Sequence, residues 1–185
     1  MFADVQRLSN FQRPAQKRCS RERKSVSSKI SPIPDGFHTI TPSLIVSNAA
    51  VALEFYKSAF GAHELVRLST PDGSKVMHSS LKVGNSIFYV TDEFAGMTPQ
   101  ESTPSSGGTS VSLNLYVDDA DAAFDRAVGA GATALMPVSE RFWGDRFGMV
   151  SDPFGQVWCF ATRIKIPTVE EVRDGVSETF GSEDT

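Results

Sequence analysis

The sequence predicts an α+β fold: two tandem β-α-β-β-β modules forming a curved mixed sheet around a cleft. Three observations predict it. Arg146–Thr162 (RFGMVSDPFGQVWCFAT) echoes Lys75–Thr91 (KVMHSSLKVGNSIFYVT), and at an offset of 71 residues Ser151 falls on Ser80, Gly155 on Gly84, Thr162 on Thr91 and basic Arg146 on basic Lys75. Each copy reads strand, turn, strand. Each is preceded by a strand pattern and then a helix pattern. A period of this length is too long for a solenoid, so two copies mean a duplicated module rather than an array.

The elements follow in order. Thr41–Val46 alternates as a strand, with Thr41, Ser43 and Ile45 on one face and Leu44 and Val46 on the other. Asn48 is a helix N-cap, and Ala49, Ala52, Leu53, Tyr56 and Phe60 form one apolar stripe ended by Gly61. Glu64–Leu68 is a short strand, Pro71-Asp72-Gly73 a turn, and Val76–Val83 with Ser86–Thr91 a hairpin across Gly84-Asn85. Residues 94–109, rich in Ser, Thr, Pro and Gly, link the modules. Val111–Val117 opens the second copy. Asp118 or Asp119 caps a helix with Ala120, Ala123, Phe124 and Ala127 on its inner stripe, ended by Gly129-Ala130-Gly131. One residue is deleted near that helix end, because Gly131 matches Gly61 at 70. Thr133–Met136 is the short strand, and Phe147–Val150 and Val157–Thr162 the last hairpin, turned by Asp152-Pro153-Phe154-Gly155. After Pro167, Thr168 and Glu171 form a capping-box signature, predicting a short helix to about Arg173 within a tail spanning 164–185.

Charge divides the chain. Residues 1–36 carry eight Lys/Arg against three Asp/Glu, and residues 37–185 carry ten against nineteen. The first stretch reads as a disordered basic extension. It is a mitochondrial or plastid transit peptide, a tail for an acidic partner, or residues from an upstream start; without a transit role the expected location is the cytoplasm. The acidic body (37–163, modules 37–93 and 110–163) argues against nucleic acid. No apolar run approaches the roughly 20 residues of a membrane helix, so no membrane partner is expected. Cys19 and Cys159 form no CxxC, which points to a reducing compartment.

In Val111–Val117 the apolar face (Val111, Leu113, Leu115, Val117) must bury against helices, leaving Ser112, Asn114 and Tyr116 for a cavity or for solvent. The segments ITPSLIVSNAAVALEFYKSAFGA, VSLNLYVDDADAAFDRAVGAGAT, RFWGDRFG and DPFGQVW carry a resemblance. The chain resembles the vicinal oxygen chelate superfamily, in particular the glyoxalase/bleomycin-resistance-like proteins, over about Phe37–Thr162. The resemblance implies that metal-dependent members would place ligands at Thr41, Phe88, Ser112 and Cys159, and it implies a homodimer. None of these four is a carboxylate or an imidazole, so no metal and no cofactor are expected.

Other candidates are weighed singly. His78 lies with Ser80 on the polar face of its strand and is either a general base or a hydrogen-bonded strand histidine without a carboxylate to orient it. Cys159 is a small buried hydrophobe sooner than a nucleophile. In Arg141-Phe142-Trp143-Gly144-Asp145-Arg146, Trp143 can stack on a planar ligand and Arg146 can hold an anion, or Asp145 and Arg146 pair with each other. The reading is a metal-free binder of a small planar or anionic molecule, lined by Thr41, Ser43, Phe88, Ser112, Asn114, Trp143, Arg146 and Cys159. The alternatives are a glyoxalase-type lyase or isomerase with a non-standard site, acting on a small carbonyl or thiol adduct, and an interaction scaffold.

Overall fold

The computed structural model describes residues 31–97 and 100–181. Most of the basic extension, with any transit peptide in it, lies outside the described residues. The body contains two four-stranded mixed sheets. The first has β1 (Ser43–Val46), β2 (His63–Ser69), β3 (Val76–Val83) and β4 (Ser86–Asp92) in the order β1-β4-β3-β2, with α1 (Ala49–Phe60) between β1 and β2 in sequence. A short helix α2 (Thr103–Ser106) lies in the linker. The second sheet has β5 (Ser112–Tyr116), β6 (Thr133–Glu140), β7 (Asp145–Ser151) and β8 (Val157–Arg163) in the order β5-β8-β7-β6, with α3 (Ala120–Gly129) after β5. In each module the first and last strands pair in parallel and the others antiparallel. A chain that must return through a helix before pairing can make that parallel contact; a tight hairpin cannot.

Local chemistry sets the element ends. The Asn48 side chain accepts the Val51 N–H (3.2 Å) and the Asp119 side chain the Ala122 N–H (3.0 Å), each capping a helix start. Gly61 ends α1 in the left-handed region (φ 65°), where a side chain would be strained. β1 starts at Ser43 instead of Thr41, because Pro42 has no N–H to give the ladder; its carbonyl still accepts the Tyr89 N–H at 2.8 Å. β6 runs on to Glu140 through Pro137, which an edge strand tolerates, with the pairing register shifted between Met136 and Ser139. α4 (Val169–Phe180) continues past Arg173; Thr168 and Glu171 complete its capping box.

Leu44, Val46, Leu81, Phe88 and Val90 of the first sheet and Val150, Trp158 and Phe160 of the second share one core with α1 and α3. Its centre is aromatic. Phe60 lies 4.5 Å from Trp158 between ring centroids, Tyr56 5.7 Å from Phe88, and Phe88 5.7 Å from Trp158, in tilted or edge-on geometries that suit ring quadrupoles. A buried carboxylate pins the modules together. Asp152 accepts from the Tyr56 hydroxyl (2.7 Å), the Trp158 indole N–H (2.9 Å) and the backbone N–H groups of Phe154 and Gln156 (both 2.9 Å). The DPFG turn, which the sequence presents as hairpin chemistry alone, is therefore also the module junction.

The duplication is not in constant register. Ser43 pairs with Tyr89 in the first module and Asn114 with Cys159 in the second, so β1 and β5 are offset by 71 but β4 and β8 by 70. Ser80 faces Tyr89 and Met149 faces Cys159, so β3 and β7 are offset by 69. The deletion near the end of α3 is followed by a second missing residue and then by a turn one residue longer than Gly84-Asn85. Because strands alternate every residue, a slip of one exchanges their two faces.

Candidate functional site

Each sheet has a helix-facing side and an open side. On the open side of the first sheet, Ser43, Tyr89, Ser80 and Val66 form one cross-strand row, and His78 and Leu68 start the next. On the second, Asn114, Cys159, Met149 and Met136 form one row, and Tyr116, Ala161, Phe147 and Ser139 the next. Four of the expected residues thus share open faces: Ser43 on the first sheet, and Ser112, Asn114 and Cys159 on the second. Thr41 precedes β1 and is half-buried.

Two expectations need correction. Phe88 pairs with Leu81 and packs on Tyr56 and Trp158, so its ring is on the helix side; the open-face counterpart of Cys159 is Tyr89. The error is the one-residue slip described above. Phe88 instead borders a cavity of about 230 Å³ between the modules, together with Ile87, Leu113, Asn114 and Trp158. Arg146 does not pair with Asp145. Its Nε and Nη2 reach the two carboxylate oxygens of Asp121 at the start of α3, both at 2.6 Å, placing it on the helix side and occupying it. Alternation along β7 puts neighbouring Asp145 on the opposite face.

Asp145 is buried at the end of the open face. It accepts from Arg163 Nε (2.7 Å) and from the Tyr116 hydroxyl (3.2 Å). Arg163 is exposed, and the Asp145 hydrogen bond is the main cause raising its pKa further. Trp143, 36% exposed, meets Phe147 edge-on at 5.6 Å. Sequence reasoning missed Arg163 and Tyr89. Strand alternation from Tyr116 and Cys159 could have found Arg163, while Tyr89 required the true register.

His78 is half-buried, with its ring 4.7 Å from that of Tyr89; no carboxylate hydrogen-bonds to it among the described residues. Cys159 is 2% exposed, and burial pushes its thiol above the ordinary range, partly offset by a hydrogen bond with Ser112. No group of three His, Cys, Asp or Glu side chains is placed to hold a metal ion among the described residues. The donor set that the resemblance marks, corrected to Thr41, Tyr89, Ser112 and Cys159, holds no carboxylate or imidazole, and its one thiol is biased toward the protonated form. These residues do not fit a divalent metal.

Residues 36–160 match the model of the Glyoxalase/Bleomycin resistance protein/Dioxygenase superfamily. The chain belongs to that superfamily. Among its relatives, Rv0887c of Mycobacterium tuberculosis (strain H37Rv), described only as an uncharacterized protein, is 39% identical over 140 residues, 75% of this chain and 82% of the relative. Among solved structures, TioX from Micromonospora sp. ML1 superposes with a TM-score of 0.55 at 26% identity, over 68% of this chain and 98% of that one. The Arabidopsis thaliana protein At5g48480 gives 0.52 at 37% identity, with the same coverage. No helix among the described residues is long and apolar enough to cross a membrane.

Proposed function

We propose that this protein binds a small organic molecule against the open faces of its sheets, without a metal as intermediary, and does so as a homodimer. One observation carries the reading: the positions at which metal-dependent members of the superfamily are expected to chelate hold neutral hydroxyl side chains and one buried thiol. A neutral, partly aromatic surface is suited to holding a ligand by stacking and hydrogen bonds, and these four positions supply no carboxylate or imidazole to hold a Lewis-acidic metal. The dimer reading is supported by apolar side chains left uncovered on the sheets, among them Val66 (45% exposed), Leu68 (57%), Met136 (36%) and Tyr116 (64%).

The test is elemental analysis of purified protein with a thermal-shift screen of small carboxylates, phenols and conjugated carbonyl compounds. The expected result is less than stoichiometric Zn, Ni, Mn or Fe and a ligand-dependent rise in Tm by mass action. A stoichiometric divalent ion in active protein would replace this reading with a glyoxalase-type lyase or isomerase. Sedimentation is expected to give a dimer, and a monomer at micromolar concentration would refute that part.

A further inference from the structure

At the end of the open face of the second sheet, Arg141, Asp145 and Arg163 stand next to one another across the backbone ladder, in an otherwise acidic body. Arg141 lies directly across from Asp145, donating its backbone N–H to the Asp145 carbonyl at 2.8 Å. Asp145 in turn pairs across the ladder with Arg163. The Asp145 carboxylate is taken by Arg163 and Tyr116, and no ion pair joins it to Arg141 among the described residues. The Arg141 guanidinium instead lies 6.0 Å from the Trp143 ring centre. Its Nε is shielded from solvent and is the one buried side-chain nitrogen or oxygen without a hydrogen-bond partner among the described residues. The half-buried Arg141 thus keeps a donor unpaired at a cost, which an oxyanion would relieve where the groups covering Nε give way to admit it. Asp145 meanwhile orients Arg163 through Nε, while the Arg163 side chain stays 54% exposed.

Aromatic surface adjoins the charge. Trp143 stands between Arg141 and Phe147, and Phe147 shares its cross-strand row with Tyr116. Flat rings beside flat guanidiniums favour a flat ligand carrying a carboxylate, which both stacks and accepts paired N–H donors.

We propose that Arg141 and Arg163, framed by Trp143, Phe147 and Tyr116, form an oxyanion subsite for a planar aromatic carboxylate. The proposal rests on the binding function proposed above and names the class of ligand that the site takes. Arg163, held by Asp145, has the anchoring role that the sequence suggested for Arg146.

The test is titration calorimetry with 2-naphthoate and its neutral amide, 2-naphthamide, on the full chain. The amide is expected to bind about tenfold or more weakly, the size of one charge-assisted hydrogen bond lost. R141Q and R163Q should each weaken naphthoate by a similar factor. R146Q, which removes the same charge from the helix side, should leave it unchanged. If R163Q unfolds, R141Q and the acid-to-amide comparison still decide. Equal binding of acid and amide, or naphthoate binding unaffected by R141Q, would overturn the subsite while leaving small-molecule binding intact. Inorganic phosphate competing as strongly as naphthoate would overturn its aromatic half. Failure of naphthoate to bind would also overturn it; the wider thermal-shift screen then separately decides whether the open faces bind anything.

Discussion

Asp152 shows how much one side chain carries. Burial pushes its carboxyl above the ordinary range, and hydrogen bonds from Trp158, Tyr56 and two backbone N–H groups pull the other way. Its oxygens are used by donors from both modules. Removing the Tyr56 hydroxyl leaves three of four donors in place, so Tyr56→Phe should cost about 1–2 kcal/mol in urea unfolding. Asp152→Ala strands the buried Tyr56 hydroxyl and Trp158 N–H together, and should cost about 3 kcal/mol or more. If Asp152→Ala cost no more than Tyr56→Phe, the carboxylate would not be the hub described. Residue-level reading of the sequence succeeded where a side chain acts through its nearest neighbours, as at Asn48, Gly61 and Thr168. It failed at Asp152, one of whose donors, Tyr56, lies 96 residues away, and at Arg146, whose partner Asp121 lies 25 away. Nothing local marks such a partner.

Among elements, the loop bearing Arg141 and Trp143 is clamped by the C-terminal segment. The Gly144 carbonyl accepts from the N–H groups of Ile164 (2.9 Å) and Lys165 (3.1 Å), and a Cβ there would stand 2.3 Å from the Lys165 carbonyl oxygen. In α4, a Cβ on Gly175 would meet the Phe142 Cβ at 2.2 Å. Gly144→Ala should therefore destabilise by about 1–3 kcal/mol through strain and crowding. Gly175→Ala should lift α4 from Phe142, seen as faster amide exchange in 169–180 with little loss elsewhere.

Electrostatics joins α1 to β2. Glu64 receives Arg67 (2.7 Å) and Lys57 (2.8 Å), and its pKa falls from 4.5 to about 2, the Arg67 hydrogen bond being the largest cause. The folded value lies below the unfolded one, so this stabilisation is complete above about pH 4.5 and disappears as pH falls toward 2. Thermal melts of Glu64→Gln and the natural sequence should differ at pH 6 and converge near pH 2; a constant gap would contradict the assignment. Element identities were readable from periodicity and caps. Register was not, because a matched Ser or Gly in two hairpins says nothing of which residue faces which, and the turn lengths that decide it differ by one. The two residues missing before β7, less the one added at the turn, leave β8 offset from β4 by 70 where β5 is offset from β1 by 71, and that net slip moved Phe88 to the wrong side and hid Tyr89.

At the scale of the whole molecule, the duplication gave the architecture and left the chemistry to the ways in which the copies diverge. The open face of the second sheet ends at Arg141 and Arg163 beside the exposed indole of Trp143; that of the first has His78 against Tyr89. The mainly neutral residues of the open faces were visible in the sequence, since alternation in Val111–Val117 separates Ser112 and Asn114 from their apolar neighbours. The clamp over the loop of Arg141 was not, since it is made by backbone bonds from Ile164 and Lys165 and by Gly175, in a helix that extends beyond where local patterning ended it.

The Tyr56–Asp152 contact also bears on ancestry. At the shift that relates the helices, the place of Tyr56 is taken in the second copy by Ala127, one of the residues buried in α3. Neither half therefore holds both parts of the fastening, and a chain made by repeating the first half twice would enclose two phenols with nothing to receive them. The halves have become complementary and are no longer interchangeable, so the present gene could not be rebuilt by copying either one.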